Sequence, residues 1–125
     1  MTLFEEKTKR GKKKDEIEND PERLVRIPAE GIFLEGILAV PAKAVGVVLF
    51  AHGSGSGRRS PRNNFVANLL RQAGFGTLLI DLLTEEEDAT YETRFDINLL
   101  AERLVAATRW LMRQPESRTL AVGYF

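Results

Sequence analysis

Val45-Gly-Val-Val-Leu-Phe-Ala-His-Gly-Ser-Gly-Ser-Gly57 decides the fold of this chain. Its first seven residues are apolar without alternation, as a strand covered on both faces in a parallel sheet requires. The glycines that follow let the backbone turn sharply and present its N–H groups, so the turn can hold an anion, whether a phosphate or an oxyanion. A helix is predicted next, from about Arg62 to Gln72, burying Phe65, Val66, Leu69, Leu70 and Ala73 and closed by Gly74. Phe75 to Ile80 reads as the second strand, ending at Asp81. Strand, Gly-rich turn, helix and strand make one βαβ unit.

Upstream of this unit the pattern is different. From Glu22, Leu24 and Arg26 and then Ile32, Leu34, Gly36, Leu38 and Val40 alternate about an Ala29-Glu30-Gly31 turn, which predicts a β-hairpin ending at Pro41. Residues 1–21 carry charges of both signs and little to bury, so they are expected to form a flexible charged lead-in to a domain spanning 22–125. Downstream, Leu82 to Phe95 is acidic and aperiodic and reads as a loop. A long helix is predicted from Asp96 to about Arg113, with Ile97, Leu100, Ala101, Leu104, Val105, Thr108, Leu111 and Met112 on its apolar stripe. Thr93 offers a start signal for it and Pro115 lies beyond its end. Thr119 to Phe125 is a third strand of the buried type. The fold class is α/β: a β-hairpin, then a parallel βαβαβ sheet with helices on both faces.

Composition narrows the function. Eighteen Lys+Arg balance eighteen Asp+Glu, so no net field draws the chain to nucleic acid or to an anionic membrane. The absence of Cys excludes disulfides and a thiolate nucleophile within these residues, and a single His argues against a His-based metal site. No apolar run approaches the roughly 18 residues of a membrane span, and the start lacks an apolar signal core. A cytoplasmic protein with no metal, cofactor, nucleic-acid or membrane partner is expected.

Three readings of the Gly-rich turn compete. The P-loop pattern fails for want of a Gly-Lys-Ser/Thr, and the dinucleotide fingerprint fails at Arg58, where Gly or Ala is needed after Gly53-x-Gly55. Asp81 after the next strand keeps a Rossmann-like nucleotide binder open as an alternative, and a plain flexible turn is the bland one. A non-catalytic module could also bind an anion or a protein partner through this turn, with Arg58, Arg59 and Arg62 as contacts.

His52-Gly53-Ser54-Gly55, followed by Ser60-Pro61-Arg62-Asn63, Phe65-Val66-Ala67, Gly74-Phe75-Gly76-Thr77-Leu78-Leu79 and Asp81-Leu82-Leu83-Thr84-Glu85-Glu86-Glu87, resembles the dienelactone-hydrolase-like branch of the α/β-hydrolases. The resemblance runs from about Arg23 to Phe125. It implies the N-terminal half of that sheet, incomplete, with hydrolysis of a small-molecule ester or lactone by the intact protein. It assigns to the backbone of His52, Gly53, Ser54 and Gly55 one oxyanion-hole N–H. Val122-Gly123-Tyr124-Phe125 corresponds to what the family shows directly before its nucleophile, so nucleophile, acid and triad His are expected beyond Phe125. His52 precedes that point and is expected to anchor the loop through a ring hydrogen bond. No Gly-x-Ser-x-Gly occurs, so Ser54 and Ser56 read as loop hydrogen-bonders. No catalytic residue is assigned within the chain, which is expected to be inactive alone and to self-associate through the Thr119–Phe125 edge.

Overall fold

The computed structural model describes residues 22–51 and 57–125. Strands β1 (Arg23–Ala29) and β2 (Ile32–Ala39) form the hairpin, with Gly31 at φ +81° in the turn, a conformation that favours glycine. Alternation sets which face is buried: Val25, Ile27 and Ala29 turn inward while Arg26 and Pro28 face water. Then come β3 (Val47–Phe50), α1 (Pro61–Gln72) and β4 (Gly76–Ile80), followed by α2 (Glu85–Asp88), a 3₁₀ turn (Glu92–Phe95), α3 (Ile97–Leu111) and β5 (Val122–Tyr124).

The sheet runs β1-β2-β4-β3-β5, with β3 parallel to both β4 and β5, and β2 antiparallel to β4. It is a mixed sheet with a helix layer on each face. Strand period separates the two cores. Val47 and Leu49 of β3 and Leu78 and Ile80 of β4 face α3 through Ala107 and Leu111, together with the hairpin's Ile27, Leu34 and Leu38. Phe50 and Leu79 face α1 through Ala67, flanked by Val48, Val66 and Leu70. Every residue of β4 is buried, as expected of a strand covered on both faces.

The structure corrects both predicted helix stripes. Phe65 is 63% exposed and Leu69 51%, while Asn63 and Ala67 are buried. α1 meets the sheet along 63, 66, 67 and 70, where small Ala67 lets the helix approach closely. The larger residues at 65 and 69 point outward. Ser60 caps α1 by accepting from the Asn63 N–H, and Gly74 at φ +94° ends it, with the Phe75 N–H returning to the Leu70 carbonyl. In α3 the covered stripe is Leu100, Arg103, Leu104, Ala107 and Leu111, leaving Ile97, Val105 and Met112 exposed. Its cap is Asp96, which accepts from the Leu99 N–H, so Thr93 does not start the helix.

The acidic segment after β4 also departs from the predicted loop, because it contains a turn of helix. Thr84 and Glu87 form a capping box, each side chain accepting from the other's backbone N–H. The third strand is shorter than Thr119–Phe125 and is the sheet's edge. Among the described residues its only strand partner is β3.

Candidate functional site

The parallel strands β3 and β4 end together, and open α/β sheets bind ligands at their carboxyl ends. His52, Gly53, Ser54 and Gly55, the predicted oxyanion loop, lie outside the described residues. What is described is the frame just after them. Gly57 sits so close to the end of β4 that a Cβ there would lie 2.3 Å from Asp81 Oδ1 and 2.5 Å from the Ile80 carbonyl oxygen. Only glycine fits. Arg58 then donates its backbone N–H to Asp81 Oδ1 at 2.8 Å and its Nε to Oδ2 at 2.9 Å, and its Nη2 lies 3.9 Å from Glu35. The Ser60 N–H reaches the Gly57 carbonyl, and the Asn64 carboxamide donates to the carbonyls of Arg58 and Ser60.

Asp81 therefore ties the turn 57–60, and with it the start of α1, to the end of β4. Arg58, a candidate anion contact in the sequence, has its charge directed at Asp81 and Glu35. Arg59 and Arg62 remain exposed at the start of α1, with no side-chain partner among the described residues. We expect Gly57→Ala to push this turn off β4 and cost about 2 kcal/mol or more, a fall of roughly 8 °C in Tm. A Tm within about 2 °C of wild type would show that the turn has room.

On the other side of Asp81, Arg103 reaches from α3 to hold the acidic segment. Its Nη1 donates to the Leu82 carbonyl at 3.0 Å and to Glu87 Oε1 at 2.8 Å, and its Nη2 donates to Glu87 Oε2 at 2.7 Å. The Arg103 hydrogen bond, opposed by burial, lowers the Glu87 carboxyl from 4.5 to about 2. Sequence reasoning missed this pair. Thr84-x-x-Glu87 was the available signal for the helical turn, but an arginine on the apolar face of α3 carries no periodic signature.

Among the described residues, no group of three or more His, Cys, Asp or Glu could hold a metal ion. None of the described helices is long and apolar enough to cross a membrane.

A solved dienelactone hydrolase from Anabaena variabilis superposes on 86% of this chain at TM-score 0.81 and 53% sequence identity. The chain carries part of a dienelactone-hydrolase-like α/β-hydrolase domain. It spans about half, 51%, of that hydrolase. A cold-adapted esterase from an Arctic intertidal metagenomic library shares the fold of this hydrolase-like segment at TM-score 0.67 and 18% identity, over 85% of this chain and 50% of the esterase. Two curated Mycobacterium tuberculosis proteins are 52% identical over 101 residues, which is 81% of this chain and 23% of each relative. Both are named as a "Putative phosphoribosyl transferase". The hydrolase-like segment thus spans less than a quarter of these relatives. No protein-family model matches it.

Proposed function

We propose that this segment serves a hydrolase that cleaves a small-molecule ester or lactone, and that its part is the oxyanion loop and the frame that seats it. The reading rests on the 53% identity to the Anabaena dienelactone hydrolase, carried at TM-score 0.81 over 86% of the chain. In such a reaction a nucleophilic Ser or Cys adds to the carbonyl carbon and its proton passes to a His base. The carbonyl oxygen becomes an oxyanion, to which the backbone of the His52 to Gly55 loop donates one stabilising N–H. The C–O bond then breaks, the leaving oxygen takes the proton, and water releases the acid. Nucleophile, base and acid come from sequence outside these 125 residues.

The test is reconstitution. Residues 1–125 are combined with the complementary half of the Anabaena hydrolase and assayed with p-nitrophenyl acetate and with a dienelactone. Turnover is expected in the complex, and none in either half alone. No fluorophosphonate labelling of residues 1–125 is expected. A complex that forms but is silent, or stoichiometric labelling of residues 1–125, would overturn the reading.

The names of the Mycobacterium relatives favour a second reading, phosphoribosyl transfer, at 52% identity over 101 residues. The match covers 23% of those proteins, so the first reading is preferred. Release of diphosphate from a phosphoribosyl donor by residues 1–125 would reverse that order.

A further inference from the structure

α3 carries two apolar faces, and the fold covers one of them. Ala107 and Leu111, on the side that meets the sheet, are fully buried, whereas Ile97, Val105 and Met112 are 70%, 47% and 58% exposed. With Ala101 and Thr108 these three form a second stripe, at 97, 101, 105, 108 and 112, the three-and-four spacing of a single helix face. The remaining side, with Glu102, Arg109 and Arg113, is charged and exposed. Such a pattern suits a helix that is packed on two sides and wet on the third. The bare stripe borders β5, because the Thr108 hydroxyl meets the Tyr124 hydroxyl at 2.8 Å, so it adjoins the edge of the sheet.

The path of the chain shows what belongs there. β3 connects to β4 through α1 on one face of the sheet, and β4 connects to β5 in the opposite direction, across β3, through α3 on the other face. Both connections therefore have the same hand, as the right-handed rule for parallel strands requires. A parallel strand added beyond β5 continues the direction of the second step, so the segment leading to it crosses on the face of α3, beside the bare stripe. The chain spans 51% of the Anabaena hydrolase, so an intact domain of this family has about as much chain again to place. Small Ala101 and Thr108 keep the middle of the stripe low enough for a second helix at the usual axis separation of roughly 8–10 Å.

We propose that the outer stripe of α3 is the docking surface for an amphipathic helix of the domain's other half, the one that connects β5 to a parallel strand on its open edge. Ile97, Val105 and Met112 pack into the apolar face of that helix, while Glu102, Arg109 and Arg113 stay in water. The identity of the occupant rests on the hydrolase reading, whereas its place is fixed by the two-faced helix and the edge beside it.

The test joins residues 1–125 in one chain to the remaining half of the Anabaena hydrolase. Val105→Cys, Met112→Cys and Arg113→Cys are made singly, at positions exposed in a segment with no cysteine of its own, and iodoacetamide alkylation of each is timed by peptide mass spectrometry. In the joined chain Val105→Cys and Met112→Cys are expected to react at least about tenfold more slowly than in residues 1–125 alone, and Arg113→Cys equally in both. Val105→Lys with Met112→Lys is expected to lower the Tm of the joined chain by at least about 6 °C while leaving that of residues 1–125 within about 2 °C. Equal alkylation of the stripe in the two chains, or a joined chain that tolerates both lysines, would overturn the proposal. Slowing in residues 1–125 alone that grows with concentration would overturn it too, by assigning the stripe to a second copy. Turnover by a joined chain whose stripe stays reactive would leave the hydrolase reading standing without this one, and a protected stripe without turnover would do the reverse.

Discussion

Expressed alone, residues 1–125 are expected to sediment as a concentration-dependent dimer or a larger species, and Tyr124→Pro to move them toward monomer. β5 is bonded to β3 on one side. The Phe125 N–H donates to the Leu49 carbonyl and the Ala51 N–H to the Phe125 carbonyl. Because bonding groups alternate along a strand, the N–H and C=O groups of Val122 and Tyr124 face the open side. Thr119 to Phe125 has no charge and no proline, two of the usual devices that keep an edge from pairing. Tyr124 is 54% exposed and Phe125, whose ring lies 5.1 Å from that of Phe50, is 48% exposed. Val122 packs half-buried against the core, so Val122→Lys would disturb the fold as well as the edge. Tyr124→Pro removes an outward donor without touching the β3 ladder. Losing one edge hydrogen bond is worth about 1.4 kcal/mol, a weakening of roughly tenfold in dimer dissociation constant. Sedimentation velocity decides it: a sharp, concentration-independent wild-type monomer would refute edge pairing.

The second large effect concerns Glu87 and Arg103. Their side chains are 27% and 10% exposed, and the contact is bidentate. Glu87→Ala leaves the Arg103 charge uncompensated against α3, and breaking a buried pair from one side costs about 3 kcal/mol or more. The expected fall in Tm is roughly 12–20 °C. Glu87→Gln with Arg103→Met is expected to recover much of that loss, because both buried charges leave together. The pair also makes stability depend on pH. Arg103 and the Thr84 backbone hold the Glu87 carboxyl near 2 in the folded chain, below its ordinary 4.5. Its contribution is therefore complete above about pH 4.5 and disappears as pH falls toward 2. Denaturant titrations between pH 6 and pH 2 should show wild type losing stability faster than the double variant over that window. Parallel curves would show that the pair is not the source.

Much of the architecture was legible in the chain because the hydrophobic period differs between elements. Alternation about Glu30-Gly31 marks the hairpin, unbroken apolar runs mark β3 and β4, and the motifs around Gly57, Ser60 and Asp81 mark the hydrolase-like βαβ unit. Glycine at 57 was visible too, although its reason was not, since the atoms that exclude a side chain belong to Ile80 and Asp81, 23 and 24 residues away.

Which side of each helix would be covered was decided only by tertiary packing. In α1 the large Phe65 and Leu69 make the better apolar stripe by composition, yet Ala67 and Asn63 meet the sheet, because close approach depends on the volume between helix and strands. In α3 the burial of Arg103 depends on Glu87, a residue 16 positions earlier, folding back to neutralise it. No local pattern records such a partner. Periodicity and turn chemistry act within a few residues of chain, so they specify elements and their order. The Asp81–Arg58 clasp and the Glu87–Arg103 pair are set by distances across the fold, which exist only once the strands are in register.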